Sequence, residues 1–286
     1  MITLSNGHSF EYMTASGALG FDGKGWPWEK PLRWIGLLDP SLFTNVIKTL
    51  TIEPRKGNLK WYWPLGCIKP MLGGTINAVG LTNLGIDWWI DKIGLKFDPS
   101  RISLVGSILG EPGELAIMAG MLNLFDLVGL EVNASCPNTQ DDILENVEKV
   151  VEGCRAAKKK SRHPILLKLS VVHDIEKIVP AVQDWVEAFS INSVPWNIVF
   201  PGKKSPLAKF GGGGVSGKIA QPFTWLFAEK LKSMTNVPVI APSVWNFEDL
   251  AKLRQKGFKA FSFGSVFLCH PWRPTLYVRK DLKRIG

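Results

Sequence analysis

No apolar run in this 286-residue chain approaches the ~18 residues that a membrane-spanning helix needs. The first residues carry Asn6, Gly7 and His8 instead of an apolar core behind basic residues, so neither a signal peptide nor an anchor is expected. The expectation is a cytoplasmic protein. Cysteine is scarce and scattered, at Cys67, Cys136, Cys154 and Cys269, with no CxxC pair. That excludes a disulfide framework and leaves no ligand set for an iron-sulfur cluster within the chain. The four histidines, His8, His163, His173 and His270, lack metal-ligand spacing, so no metal site is expected and each reads as a surface or loop residue. Acidic residues are outnumbered, giving a formal charge of +9. The basic residues fall in short clusters (Lys158-Lys159-Lys160 with Arg162, Lys203-Lys204, Arg279 to Arg284) without interleaved aromatics. Solvated faces fit this better than a platform for stacking nucleic-acid bases.

What the chain does contain is concentrated in Gly129-Leu-Glu-Val-Asn-Ala-Ser-Cys-Pro-Asn-Thr139. Leu127 to Val132 reads as a buried strand, which breaks at once into Asn133, Ser135, Cys136, Pro137 and Asn138. Asn and Pro commonly end strands, so a simple polar turn accounts for the stretch by itself. Other strand ends show the same character. The strand from Phe10 runs into Ala15-Ser16-Gly17, and Asn45 to Leu50 carries Lys48. Arg101 to Gly106 is a third strand, and Pro164 to Leu169 carries Lys168. Phe189 to Ser193 ends in Asn192 and Ser193, Val237 to Ala241 turns through Pro242-Ser243-Val244, and Ala260 to Gly264 leads into Ser265.

Helical periodicity lies between most of the later strands. One helix opens at Glu111-Pro112, and a second is capped by Asp141 and carries Ile143, Leu144, Val147, Val150, Val151 and Cys154 on one face. A third spans Asp174 to Phe189 with a kink at Pro180. Others cover Pro222 to Ser233 and Phe247 to Lys256. Thr51 to Ile86 and Pro195 to Gln221 read as long excursions over one face, the first packed by tryptophans 61, 63, 88 and 89. Eight strand candidates in one chain of this length favour a TIM-type (β/α)8 barrel, a single domain over 1–286 with loop excursions over the carboxyl-end face. In such barrels chemistry sits at the carboxyl ends of the strands, where Ser16, Lys48, Asn133, Lys168, Asn192, Ser243 and Gly264 fall. Backbone amides at the last two strand ends suit a phosphate. A phosphorylated cofactor beside a small polar substrate is the expected occupant.

Asn133-Ala-Ser-Cys-Pro-Asn-Thr139 resembles the signature loop of the dihydroorotate dehydrogenase family, FMN enzymes on an alpha/beta barrel. Met13 to Gly17, Lys48 to Asn58, Asn77 to Asn83, Leu167-Lys168, Ile191 to Ser193, Gly213 to Gly217 and Phe263-Gly264-Ser265 resemble further family segments in the family's order. The resemblance implies that Cys136 is the base taking a proton from C5 of dihydroorotate while the C6 hydrogen passes to flavin N5 as hydride. It places Lys48 between flavin and substrate, and Lys168 near the flavin ring and ribityl chain. Asn77, Val79, Gly80, Leu81, Asn133, Asn138, Asn192 and Ser193 would contact substrate, the carboxamides offering both donor and acceptor to a pyrimidine edge. Ala15, Ser16, Lys48, Asn133, Lys168, Gly217, Ser243, Val244, Gly264 and Ser265 would hold FMN. Cysteine at 136 instead of serine places the chain with the class that lacks a membrane segment. Family members are commonly dimers, and an iron-sulfur electron-transfer subunit is a possible partner.

Two departures bear on these expectations. Ala241-Pro242-Ser243-Val244 stands where many relatives have a glycine-rich turn, and the Ser193 to Pro206 region is unlike the members compared. An FMN barrel acting on another dihydropyrimidine or a uridine-type ring is therefore the alternative enzyme. A flavin-free barrel kept for binding is the alternative from another class.

Overall fold

The structure, a computed structural model, describes residues 1–60, 64–134 and 147–285. Trp61, Trp63, Cys136, Asn138, the Asp141 cap and the residues Ile143 and Leu144 lie outside the described residues. Seven strands pair in parallel in one sheet. They are Tyr12–Thr14, Thr44–Val46, Ser103–Ile108, Gly129–Asn133, Ile165–Leu169, Ala188–Ile191 and Phe261–Phe263. Their spatial order follows the sequence, and the last pairs with the first through Phe261 and Tyr12. The gap between the sixth and the last is filled by 239–241, which bridges Phe189 through Val239 and Phe261 through Ala241. The Ile240 amide donates to the Phe189 carbonyl and the Ser262 amide to the Ala241 carbonyl, each at 2.8 Å. Pro238 and Pro242 flank this stave and lack an N–H, which limits it to bridges. The ring is the expected (β/α)8 barrel.

Alternation along each stave sorts residues inward and outward. Ile165, Leu167 and Leu169 join the large core beneath the helices, while Leu166 joins a separate interior cluster. That cluster takes Met13, Val46, Val105, Leu166, Ala188, Ile240 and Ala260 from successive staves. It is completed by Ile2, Leu4 and Phe10 of the amino-terminal hairpin, whose strands Ile2–Thr3 and Ser9–Phe10 pair antiparallel. The hairpin thus plugs the barrel floor. Nearby, Arg254 joins Glu11 to Asp281 of the terminal helix Arg273–Ile285, and the Tyr12 hydroxyl donates to Asp281 at 2.7 Å.

The two excursions are not plain loops. They contribute to one four-stranded antiparallel sheet in the order Val194–Pro195, Gly214–Gly217, Gly74–Asn77, Ile68–Met71. The first excursion then enters the helix Gly85–Lys92, whose Trp89 is fully buried and donates its indole N–H to the Phe21 carbonyl at 2.7 Å. The helix expected over Asp174 to Phe189 ends early, at Val182. Chain reversal overrides its apolar spacing, because the Glu187 amide already pairs with the Ile165 carbonyl to begin the next stave. His163 and His173 lie in loops, as expected, but are buried there. The His163 ring meets the Leu122 carbonyl at 3.2 Å, and His173 Nδ1 accepts from the Ser170 amide at 3.1 Å. Among the described residues no helix is long and apolar enough to cross a membrane.

Candidate active site

A cavity of about 780 Å³ lies between the carboxyl ends of the barrel staves and the four-stranded sheet above them. That size is within the range of small-molecule and cofactor sites. Every expected site residue among the described ones lines it. Ala15 and Ser16 follow the first stave, Lys48 the second, and Asn133 ends the fourth. Lys168 lies in the fifth stave, and Asn192 and Ser193 follow the sixth. Ser243 and Val244 follow the 239–241 stave, with Gly264 and Ser265 after the last. From above, the sheet supplies Asn77 and Gly217, with Val79, Gly80 and Leu81 leaving its edge. Cys136 and Asn138 lie outside the described residues.

The walls divide by polarity. Ile68, Pro70 and Met71 form an apolar roof, and the Trp26 and Trp28 rings, stacked at 5.3 Å, also line the cavity. The floor is polar and carries the lysines. Among the described lining residues there is no carboxylate, so the lining favours an anionic occupant. Several lining glycines leave little or no room for a β-carbon. A β-carbon on Gly17 would sit 3.3 Å from Lys48 Cγ. One on Gly217 (φ 96°) would lie 2.7 Å from the Gly73 carbonyl oxygen and 2.9 Å from the Trp245 ring. Left-handed backbone at non-glycine residues occurs, among the described residues, at Leu81 (φ 56°) and Ser243 (φ 62°). Both line the cavity, where strain of this kind characteristically collects. Ser243 thus adopts the conformation for which glycine is the ordinary choice. Its carbonyl accepts from Gln221 Nε2 at 2.9 Å and its hydroxyl from Thr224 at 3.2 Å.

Beneath the floor is a buried polar network that the sequence reading missed. Lys168 Nζ donates to Ser16 Oγ at 2.8 Å and lies 3.3 Å from Glu131 Oε1, with both charged side chains almost fully buried. Ser107 Oγ donates to Glu131 Oε1 at 3.0 Å and Ser190 Oγ to Oε2 at 2.9 Å. Thr49 Oγ1 meets Ser107 Oγ at 2.9 Å and accepts from Asn133 Nδ2 at 2.9 Å. An acid at the middle of an otherwise apolar strand, two residues before Asn133 and so on the same face, was the signal available. Trp28, Leu72, Cys269 and His270 at the cavity's edge were missed as well. Burial raises the pKa of the Cys269 thiol and also that of Cys67, where the Lys48 charge opposes it. Both thiols stay neutral near pH 7.

The divergent Ser193 to Pro206 region barely touches the site, since Ser193 alone of its residues lines the cavity. Behind it, Trp196 and Phe200 pack with Ile76, Leu207 and Val215 on the far side of the sheet, and Trp196 Nε1 donates to the Lys203 carbonyl at 2.7 Å.

The family model described as dihydroorotate dehydrogenase matches residues 17–243. The chain is 32% identical over 271 residues to the dihydroorotate dehydrogenase B (NAD(+)) catalytic subunit of Geotalea uraniireducens (strain Rf4), covering 91% of this chain and 84% of that one. To the subunit of the same name from Thermoanaerobacter sp. (strain X514) it is 28% identical over 280 residues, 95% and 88% of the two chains. The Bacteroides thetaiotaomicron subunit is 26% identical over 272 residues, 91% and 84%.

Proposed function

Since this chain belongs to the dihydroorotate dehydrogenase family, we propose a division of labour among its residues for the oxidation of dihydroorotate to orotate, a step of pyrimidine biosynthesis. The observation that carries it is the cavity itself, floored by two lysines, roofed by apolar side chains and without a carboxylate among its described lining residues. Its residues fit FMN. Gly217 lines the cavity, and its missing β-carbon lets that strand pack directly against Gly73, Gly74 and the Trp245 ring, which keeps the wall beside a flat ring system close and rigid. Ser243, Val244, Gly264 and Ser265 surround one end, where turn amides suit its phosphate. Ala15, Ser16 and Lys168 would hold its ring and ribityl chain. FMN, when bound, supplies the acceptor for the hydride leaving C6.

The rest of the chemistry falls to this chain's side chains. Cys136, proposed from its sequence motif, takes the proton from C5. A thiol of ordinary pKa near 8.5 is only a few per cent thiolate at pH 7, so the rate rises with pH toward that value. Lys48 stabilises negative charge developing on substrate and cofactor. Asn77, Asn133, Asn138 and Asn192, with Ser193 and the backbone at Val79 to Leu81, orient the ring and exclude water. Because the divergent region meets the cavity only at Ser193, it gives little ground for a different ring. We further propose that residues 1–286 act as one FMN-binding domain in the cytoplasm. It would work beside an iron-sulfur electron-transfer subunit that passes electrons to NAD, a role consistent with relatives named as catalytic subunits.

The test is anaerobic mixing of the yellow protein with dihydroorotate, following loss of the visible flavin band. Rapid bleaching is expected, slowed by roughly 10²-fold or more in Cys136→Ala. A yellow protein that dihydroorotate does not bleach would sink the substrate assignment.

A further inference from the structure

Glu131 sits where barrels of this kind place Val, Ile or Leu. Its carboxylate accepts from Ser107, Ser190 and Lys168, and its side chain is 1% exposed. Stability does not explain such a pair, because replacing both partners with well-packed apolar residues is often neutral or favourable. Position explains it better. Lys168 lines the cavity and Glu131 does not, so the acid acts on the site through the lysine. The ammonium has three donors. Ser16 and Glu131 take two, leaving the third for the cavity it lines. The same carboxylate also ends a hydroxyl chain. With the Ser107 proton committed to Glu131, the Thr49 hydroxyl is free to donate to Ser107 while accepting from Asn133 Nδ2. The Asn133 amino group is thereby turned inward.

We infer that Glu131 is a positioning residue: it holds Lys168 at the cavity floor and offsets its charge, so that a bound redox cofactor meets a nearly neutral ion pair instead of a bare ammonium. The inference rests on the function proposed above and deepens it. Its consequence has a sign. Two-electron reduction adds negative charge to the cofactor ring, so uncovering the lysine charge favours the reduced form and uncovering the glutamate charge opposes it.

The experiment is the midpoint potential of the bound flavin in four proteins: the parent, Glu131→Gln, Lys168→Met, and the double variant. Glu131→Gln is expected to shift the oxidised-to-reduced equilibrium at least tenfold toward reduced, about 30 mV upward for a two-electron couple. Lys168→Met shifts it downward, and the double variant returns toward the parent. If Glu131→Gln does not retain flavin, the remaining three still decide, because the double variant must lie above Lys168→Met. A potential unmoved by Glu131→Gln, or a double variant equal to Lys168→Met, overturns the inference while a yellow, dihydroorotate-bleached parent keeps the function. A parent purified without flavin overturns both.

Discussion

The two halves of the barrel interior are built from the same staves and differ in everything else. The lower half is apolar, one aliphatic or small residue from nearly every stave packed against the plugging hairpin. Two residues further along the same strands, the upper half holds Ser107, Glu131, Lys168 and Ser190. Leu166 and Lys168 share a face of one strand, as do Gly129 and Glu131 of the strand paired with it. Backbone geometry is common to both halves, so the contrast lies in side chains alone. The lower half sustains the fold, and the upper half uses that support to hold charges in place under the cavity.

Moving polarity downward would break the contrast most severely. Leu166→Asp places a carboxylate in the lower layer with no donor built for it, and a loss of more than about 4 kcal/mol is expected. Insoluble expression, or a collapsed denaturation midpoint, is the readout. A fully folded Leu166→Asp protein would show that the lower half tolerates charge and that the division has no energetic basis.

Glu29 sharpens the comparison, being a buried acid outside the barrel held by the Trp26 amide at 2.7 Å instead of by a lysine. Burial chiefly raises its pKa from 4.5 to about 7, against the opposing Trp26 hydrogen bond and Arg33 charge. A carboxyl raised in the folded state contributes stability below about 4.5, and that contribution is lost as pH climbs toward 7. The loss amounts to about 3 kcal/mol over that window. Glu29→Gln should flatten the stability profile between those pH values and leave the variant the more stable at pH 8. Parallel profiles for parent and variant would remove Glu29 from the account. The smallest effect belongs to Ser243→Gly, which relieves left-handed backbone at the cavity's edge and should add about 1 kcal/mol or less. A lower melting temperature would instead mean that the Thr224 hydrogen bond to the Ser243 hydroxyl holds the turn.

Much of this was legible in the sequence. The staves announce themselves because each apolar run ends in Ser16, Lys48, Asn133, Lys168 or Asn192, and those residues do meet at one cavity. Family membership, and with it the chemistry, was legible for the same reason. Glu131 was not, since one acid inside a strand has no local partner, and its cation lies 37 residues away. The sheet over the cavity was also hidden. It joins Asn77 to Gly214, 137 residues apart, and glycine-rich strands lack the β-branched pattern that identifies a strand. Helix periodicity past Val182 misled because spacing alone does not register where the next stave must begin.

The pairing of Phe261 with Tyr12 has a bearing on how the protein comes into being. A ring whose last stave closes on its first cannot be completed until residue 263 has left the ribosome, and contacts so distant in sequence make folding slow. Until then the upper interior lies open to water with its ion pair unsheltered. The cavity is therefore among the last features of the molecule to exist, and a chain truncated before residue 261 would carry the cavity's two lysines, Lys48 and Lys168, and its carboxamides without the ring that brings them together.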